Sequence, residues 1–301
     1  MTEQNQTVSP EHEYLGAGKS LAYGLQHVLT MYGGIIAPPL IIGTAAGLEP
    51  AQIGLLIAAA LFVGGLATIL QTVGVKYIGA KLPLVQGVSF AGVATMIAIV
   101  TAGGGLSAVY GAVIVASLIG FFLAPYFSKI IRFFPPIVTG SVITIIGLSL
   151  LPVAVRWMMG GNNKAADWGS AENISLALVT LAIVIGLNLT KNATIRRLSI
   201  LLAIVFGTVL AYFFGFGDFS KVADGQWVQL PNFFAFGLPT FEVSAILSML
   251  IVTLVIMTET TADVIAIGEI VGTKVDSERI SNGLRADMLS SAVAPIFGSF
   301  M

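Results

Sequence analysis

Apolar stretches of about 20 residues follow one another along nearly the whole chain, each long enough to cross a bilayer core of roughly 30 Å as a helix. In hydrocarbon every backbone polar group needs a partner within the protein, so only helices and closed barrels span a membrane. Barrel strands would alternate apolar and polar residues in blocks of about ten, whereas these runs are continuously apolar. Of the 301 residues, 56% are hydrophobic and 10% charged, against about a quarter charged in a soluble domain. The chain is read as an all-α integral membrane protein, with the lipid bilayer as a partner.

Hydropathy and breaker residues predict nine segments, at about 20–43, 52–72, 84–101, 106–127, 136–158, 172–190, 197–216, 241–270 and 281–301. The basic residues orient them. With a cytoplasmic N-terminus, Lys19, Lys76, Lys81, Lys129, Arg132, Lys191, Arg196, Arg197, Lys274, Arg279 and Arg285 lie inside, and Arg156, Lys164 and Lys221 outside. Eleven against three predicts a cytoplasmic N-terminus in a multi-pass cell-membrane protein. Residues 1–18 form a polar, slightly acidic tail that lacks the basic start and short apolar core of a signal peptide.

Composition also excludes several functions. The net charge of −1, with basic residues scattered over short loops, speaks against nucleic acid. The absence of cysteine rules out disulfides, thiolate metal sites and cysteine nucleophiles. With two histidines, one in the polar tail, no metal site is supported. Neither a Walker A pattern nor a nucleophile–base pair is visible, so the sequence gives no basis for ATP-driven pumping, hydrolysis or an organic cofactor.

Three regions depart from a plain bundle. The third segment, LPLVQGVSFAGVATMIAIVTAGGG, is interrupted by Pro83 and Gly87, carries Val85 and Val88 around Gln86, and ends in three glycines. Two readings fit: a short extended stretch leading into a half helix, as in broken transporter segments, or a glycine-packed ordinary helix. The aromatic stretch 217–240 is expected to be an extracellular loop with an interfacial or capping role. The chain reaches Met301 while still apolar, which predicts that it is the front part of a longer protein.

The charges inside apolar segments carry the chemistry. Glu259 and Asp263 lie in the eighth segment, within MTETTADVIAIGEIVG, and four residues apart they share one helix face. A carboxylate near mid-membrane costs about 2.5–3.5 kcal/mol on insertion scales and ordinarily faces a cavity or a polar partner. Such a pair marks a hydrophilic pocket and suits proton exchange, the chemistry of a proton-coupled transporter; pairing with hydroxyls such as Thr258, Thr260 or Thr261 is the structural alternative. Asp287, early in the ninth segment, fits either the cytoplasmic face or the carboxylate cluster. Gln26 and His27 sit inside the first segment, where His27 could serve as a proton relay or as a structural hydrogen-bonding group.

Four motifs in register, LQHVLTMYGG, LPLVQGVSFAG, ETTADVIAIGEI and GLRADMLSS, resemble those of the nucleobase-ascorbate transporters, also called nucleobase:cation symporter family 2, across the membrane part of the chain. The resemblance implies fourteen segments arranged as two inverted repeats of seven, with about nine present here. It implies core residues 19–132 and 241–301, gate residues 133–216, and third and tenth segments each made of a short β-strand and a half helix. Carried over by position, Glu259 is the carboxylate that accepts ring N–H groups of a base, an arrangement favouring charge-assisted bonds. Asp263 is implicated in proton coupling, Gln26 and His27 support the site, Ser89 and Phe90 contact the base, and Asp287 is functionally sensitive.

The resemblance implies proton-coupled import of a purine, xanthine or uric acid, with an acid at position 263 tilting the choice away from uracil. A homodimer through the gate domain is a further implication. The tenth-segment signature would lie just beyond Met301, so this chain alone is expected not to transport. An anion carrier of the same architecture would be opposed by the charge of Glu259, and a membrane-embedded enzyme would need a nucleophile or metal cluster that is not visible.

Overall fold

In the computed structural model, residues 15–130, 136–161, 165–216 and 231–300 are described. Most of the expected 1–18 tail and of the 217–240 loop lies outside them.

Helix α1 spans Ala17–Ala45 and α2 Pro50–Val73. Between them, the Glu49 N–H donates to Gln52 Oε1 at 3.0 Å and Pro50 opens α2, a start in which one side chain satisfies an otherwise orphaned donor. After α2 the backbone carries no helix until a 3-10 turn at Phe90–Gly92, which leads into α3, Val93–Ile99. A π-helical stretch, Val100–Gly104, follows, and α4 runs from Gly105 to Ile130. Length and hydropathy alone would join Phe90–Lys129 as one span. Gly103 at φ 99° and Gly105 at φ 62° interrupt it, conformations that glycine reaches without steric penalty.

The remaining helices are α5 Pro136–Met158, α6 Ala171–Asn188, α7 Ala193–Arg197, α8 Ser199–Phe213, α9 Val243–Val271 and α10 Ser277–Val293, the last followed by a 3-10 turn at Ala294–Phe297. Among the described residues the regular structure is helical, apart from an isolated bridge between Val75 and Ile78. Among the described residues, five stretches are long and apolar enough to cross a membrane. The eighth predicted segment is continuous as α9. The ninth, 281–301, is met by a 17-residue helix that starts earlier and is far more polar.

Two compact units emerge. The first has its described residues in 15–21, 35–130, 136–146 and 231–300, the second in 22–34, 147–161 and 165–216. In the first, α10 packs on α4, α9 and α2, and α4 on α9. Small residues allow this approach: a Cβ on Gly120 of α4 would come within 2.6 Å of Met288 and 3.0 Å of Thr253. The buried Tyr110 hydroxyl donates to the Gly298 carbonyl at 3.1 Å, and the Thr240 N–H to the Ser107 carbonyl at 2.9 Å. In the second unit α6 packs on α8, where a Cβ on Gly207 would meet the Thr180 hydroxyl at 2.8 Å.

Candidate functional site in the first unit

The site begins with the non-helical run before Phe90. Leu82, Leu84, Gln86 and Val88 are buried while Pro83 is exposed and Val85, Gly87 and Ser89 are half-buried; the Leu84 N–H closes a short turn on the Leu82 carbonyl at 2.7 Å, and beyond it the burial alternates with the period of two of an extended backbone. Extended backbone at membrane depth must be enclosed by protein, and α2 supplies that enclosure. The Gln86 N–H donates to Thr68 Oγ1 at 2.9 Å. A Cβ on Gly64 would stand 3.1 Å from the Gln86 carbonyl, and one on Gly87 2.7 Å from Ile35. Glycine at both places lets the run lie close against the helices.

The run delivers Ser89 to the start of the 3-10 turn. Its hydroxyl accepts from the Ala91 N–H at 3.2 Å and donates to Glu259 Oε2 at 2.9 Å. Glu259 is 16 residues from the start of α9 and 12 from its end, about 24 and 18 Å at 1.5 Å per residue. Its carboxylate therefore sits near the middle of a membrane-length helix. One position on, about 100° around the helix, Thr260 Oγ1 donates to Asp287 Oδ2 of α10 at 2.5 Å. Asp287 is 5% exposed.

Of the residues singled out from sequence, Ser89 and Glu259 are joined directly, Phe90 is half-buried beside Ser89, and Asp287 lies on the neighbouring helix, tied to the residue next to Glu259. Asp263 follows one turn beyond Glu259 and is exposed. Gln26 and His27 fall in the second unit, on residues 22–34 of α1, with Gln26 half-buried and His27 exposed. Of the three threonines beside the acids, only Thr260 is bonded to a carboxylate here; Thr258 and Thr261 donate to the Leu254 and Met257 carbonyls of their own helix. Among the described residues no group of three or more His, Asp or Glu is placed to hold a metal ion.

A half-buried carboxylate with one oxygen bonded to a serine hydroxyl, beside the 3-10 turn that leads into α3, can accept hydrogen bonds from a ligand's N–H groups. The family model described as a permease family, Xan_ur_permease, matches residues 18–301. The chain belongs to the nucleobase-ascorbate transporter family. All the candidate site residues fall inside the matched span, so the site lies in the part shared with the family.

Among its relatives in this transporter family, a uric acid permease of Bacillus subtilis (strain 168), PucK, is 41% identical over 277 residues, covering 92% of this chain and 64% of the relative. A xanthine permease of the same organism is 40% identical over 285 residues, 95% of this chain and 65% of the relative. The uric acid transporter UacT of Escherichia coli (strain K12) is 36% identical over 288 residues, 95% of this chain and 60% of the relative. The chain thus spans 60–65% of the length of these three, which are named as permeases or transporters and not as enzymes.

Two features of the site escape sequence reasoning. The Thr260–Asp287 bond had a partial signal, a hydroxyl beside the acids. Arg279 entered the sequence reading only as a topology charge, yet its guanidinium bonds the backbone just before the extended run.

Proposed function

We propose that this chain serves secondary active transport: the proton-coupled import of a purine nucleobase, xanthine or uric acid, across the cell membrane by alternating access. The observation that carries the reading is the Ser89–Glu259 hydrogen bond of 2.9 Å. It fixes a carboxylate near the midpoint of α9 beside a half-helix start, where purine N–H donors could be bound with charge-assisted strength. The names of the relatives support purines over other cargoes.

In this reading Glu259 accepts the base, with Ser89 and Phe90 lining it. Asp263 takes up the coupling proton, and Asp287, Gln26 and His27 support the site. The finer architecture belongs to the same proposal: two inverted repeats of seven segments, third and tenth segments of short strand plus half helix, a cytoplasmic N-terminus, and a dimer through the gate. The core (19–132, 241–301) and gate (133–216) follow the family resemblance, since the two compact units divide the chain at other places.

The test is uptake of labelled xanthine in cells that lack their own purine permeases and express the whole protein that contains this chain, with unlabelled uric acid and uracil as competitors and a protonophore control. Protonophore-sensitive uptake that uric acid competes away and uracil does not is the expected result. Competition by uracil would move the substrate to pyrimidines, and uptake indifferent to the protonophore would remove proton coupling.

A further inference from the structure

Arg279 occupies the first turn of α10, where its backbone N–H donates to Asp276 Oδ1 at 2.8 Å. A cation at a helix N-terminus faces the positive end of the macrodipole, so the placement calls for another reason. The side chain supplies one. Nε donates to the Ala80 carbonyl at 2.7 Å, Nη2 to the Lys81 carbonyl at 3.0 Å and Nη1 to Thr273 Oγ1 at 3.1 Å. In an extended strand successive carbonyls point to opposite sides, and one fork could not take both. Here Lys81 adopts φ 54°, a left-handed conformation rare for a residue with a Cβ, and the two carbonyls are offered to one guanidinium.

The same short segment is held from both flanking helices. The Gly79 N–H donates to the Asn282 carbonyl at 2.7 Å, the Lys81 N–H to the Gln71 carbonyl at 3.0 Å and the Ala80 N–H to Gln71 Oε1 at 3.3 Å. Immediately beyond it begins the run that ends at Ser89. Beyond the Leu82–Leu84 turn its burial alternates, and a slip of one residue would exchange its buried and outward faces. Where the run starts therefore decides where Ser89 stands. Eight residues along α10 from Arg279, about 12 Å, Asp287 bonds Thr260 next to Glu259.

We infer that Arg279 is a positioning residue for the binding carboxylate: by clamping the Ala80 and Lys81 carbonyls it sets the register of residues 82–88 and so holds Ser89 against Glu259, while the same helix reaches the other flank of the site through Asp287. This rests on the reading of Glu259 as the substrate carboxylate. The clamp itself is independent of any substrate, and the experiment separates the two.

The chain has no cysteine, so single cysteines report locally. Val85→Cys places a thiol in the run, and Ala102→Cys an exposed control beyond α3. In membranes, adding Arg279→Gln is expected to raise maleimide labelling at position 85 roughly tenfold, the scale of losing charge-assisted bonds, and to leave position 102 unchanged. Arg279→Lys is expected to behave like the glutamine variant, because an ammonium cannot reproduce the fork. Unchanged labelling at 85, an equal rise at both positions, or full restoration by lysine would each overturn the inference.

The second arm is xanthine uptake. Ser89→Ala and Arg279→Gln should each raise KM, and the double variant should raise it no further than Ser89→Ala alone; additive losses would show that Arg279 does not act through Ser89. If the unmodified protein takes up no purine, the proposed function fails while the labelling arm still decides whether Arg279 orders the run.

Discussion

Glu259 and Thr260 are neighbours in sequence that serve different flanks of α9, one bonded to Ser89 and the other to Asp287. Their substitutions should separate accordingly. Glu259→Gln keeps shape and loses the charge, and a hydrogen bond to a charged group is worth about 1.5–3 kcal/mol. Apparent affinity for xanthine should fall by roughly 10- to 100-fold, read from the KM of uptake, with expression unchanged; an unaltered KM would remove Glu259 from the binding role. Thr260→Val instead strips a buried carboxyl of its donor and should lower stability by about 1–3 kcal/mol, seen as an earlier thermal transition of the purified chain in detergent. Thr260→Ser should restore it, and a valine variant as stable as the original would show that the bond contributes nothing. The acids were legible in sequence because charges in apolar runs stand out. Ser89 and Thr260 were also named, the one by resemblance and the other as a possible donor, but which acid each bonds was not legible, since Ser89 lies 170 positions from Glu259.

At the scale of elements, glycines set how closely helices approach, and two positions of α4 should respond in opposite ways to the same change. A Cβ on Gly111 would lie 1.9 Å from the Thr240 carbonyl oxygen, a backbone atom that has no rotamer with which to move aside. Gly111→Ala should therefore displace the segment that enters α9 and abolish the single symmetric peak in size-exclusion chromatography of the tagged protein. A Cβ on Gly120 would chiefly meet the Met288 sulfur at 2.6 Å, the flexible part of an adaptable side chain, and Gly120→Ala should keep that peak. The reverse ranking would mean that the close contact at Thr240 does not govern this packing. The ends of α2 and α9 fall within about two residues of the expected segments 52–72 and 241–270, whereas α10 starts at Ser277 behind an Asp276 cap, ahead of the expected 281, because a short polar cap carries no hydropathy signal. The run before Phe90 was ambiguous, because Pro83 and Gly87 allow either a broken segment or a tightly packed helix; its backbone is non-helical, and the space at Gly64 lets it lie close to α2.

For the whole molecule, charge bias makes a claim that a cysteine-free chain can test directly. Asp167→Cys, between α5 and α6, should react with a membrane-impermeant maleimide in intact cells. Lys274→Cys, between α9 and α10, should react only after permeabilisation. The opposite pattern would invert the proposed orientation. In the first unit, packing of α10 on α4, α9 and α2, and of α4 on α9, brings the consecutive pair α9–α10 together with two helices from the front of the sequence.

Hydropathy, charge placement and the motif spacing were enough to give an all-helical membrane chain, its family, and the acids proposed to carry its function. These signals are sums over neighbours along the chain, and a bilayer amplifies them by penalising every unpaired polar group. The meeting of Ser89 with Glu259, of Thr260 with Asp287 and of Arg279 with the Ala80 and Lys81 carbonyls was decided only in three dimensions. Each joins residues separated by 27 to 199 positions, and whether such pairs touch depends on how the helices between them pack, which no local stretch of sequence contains.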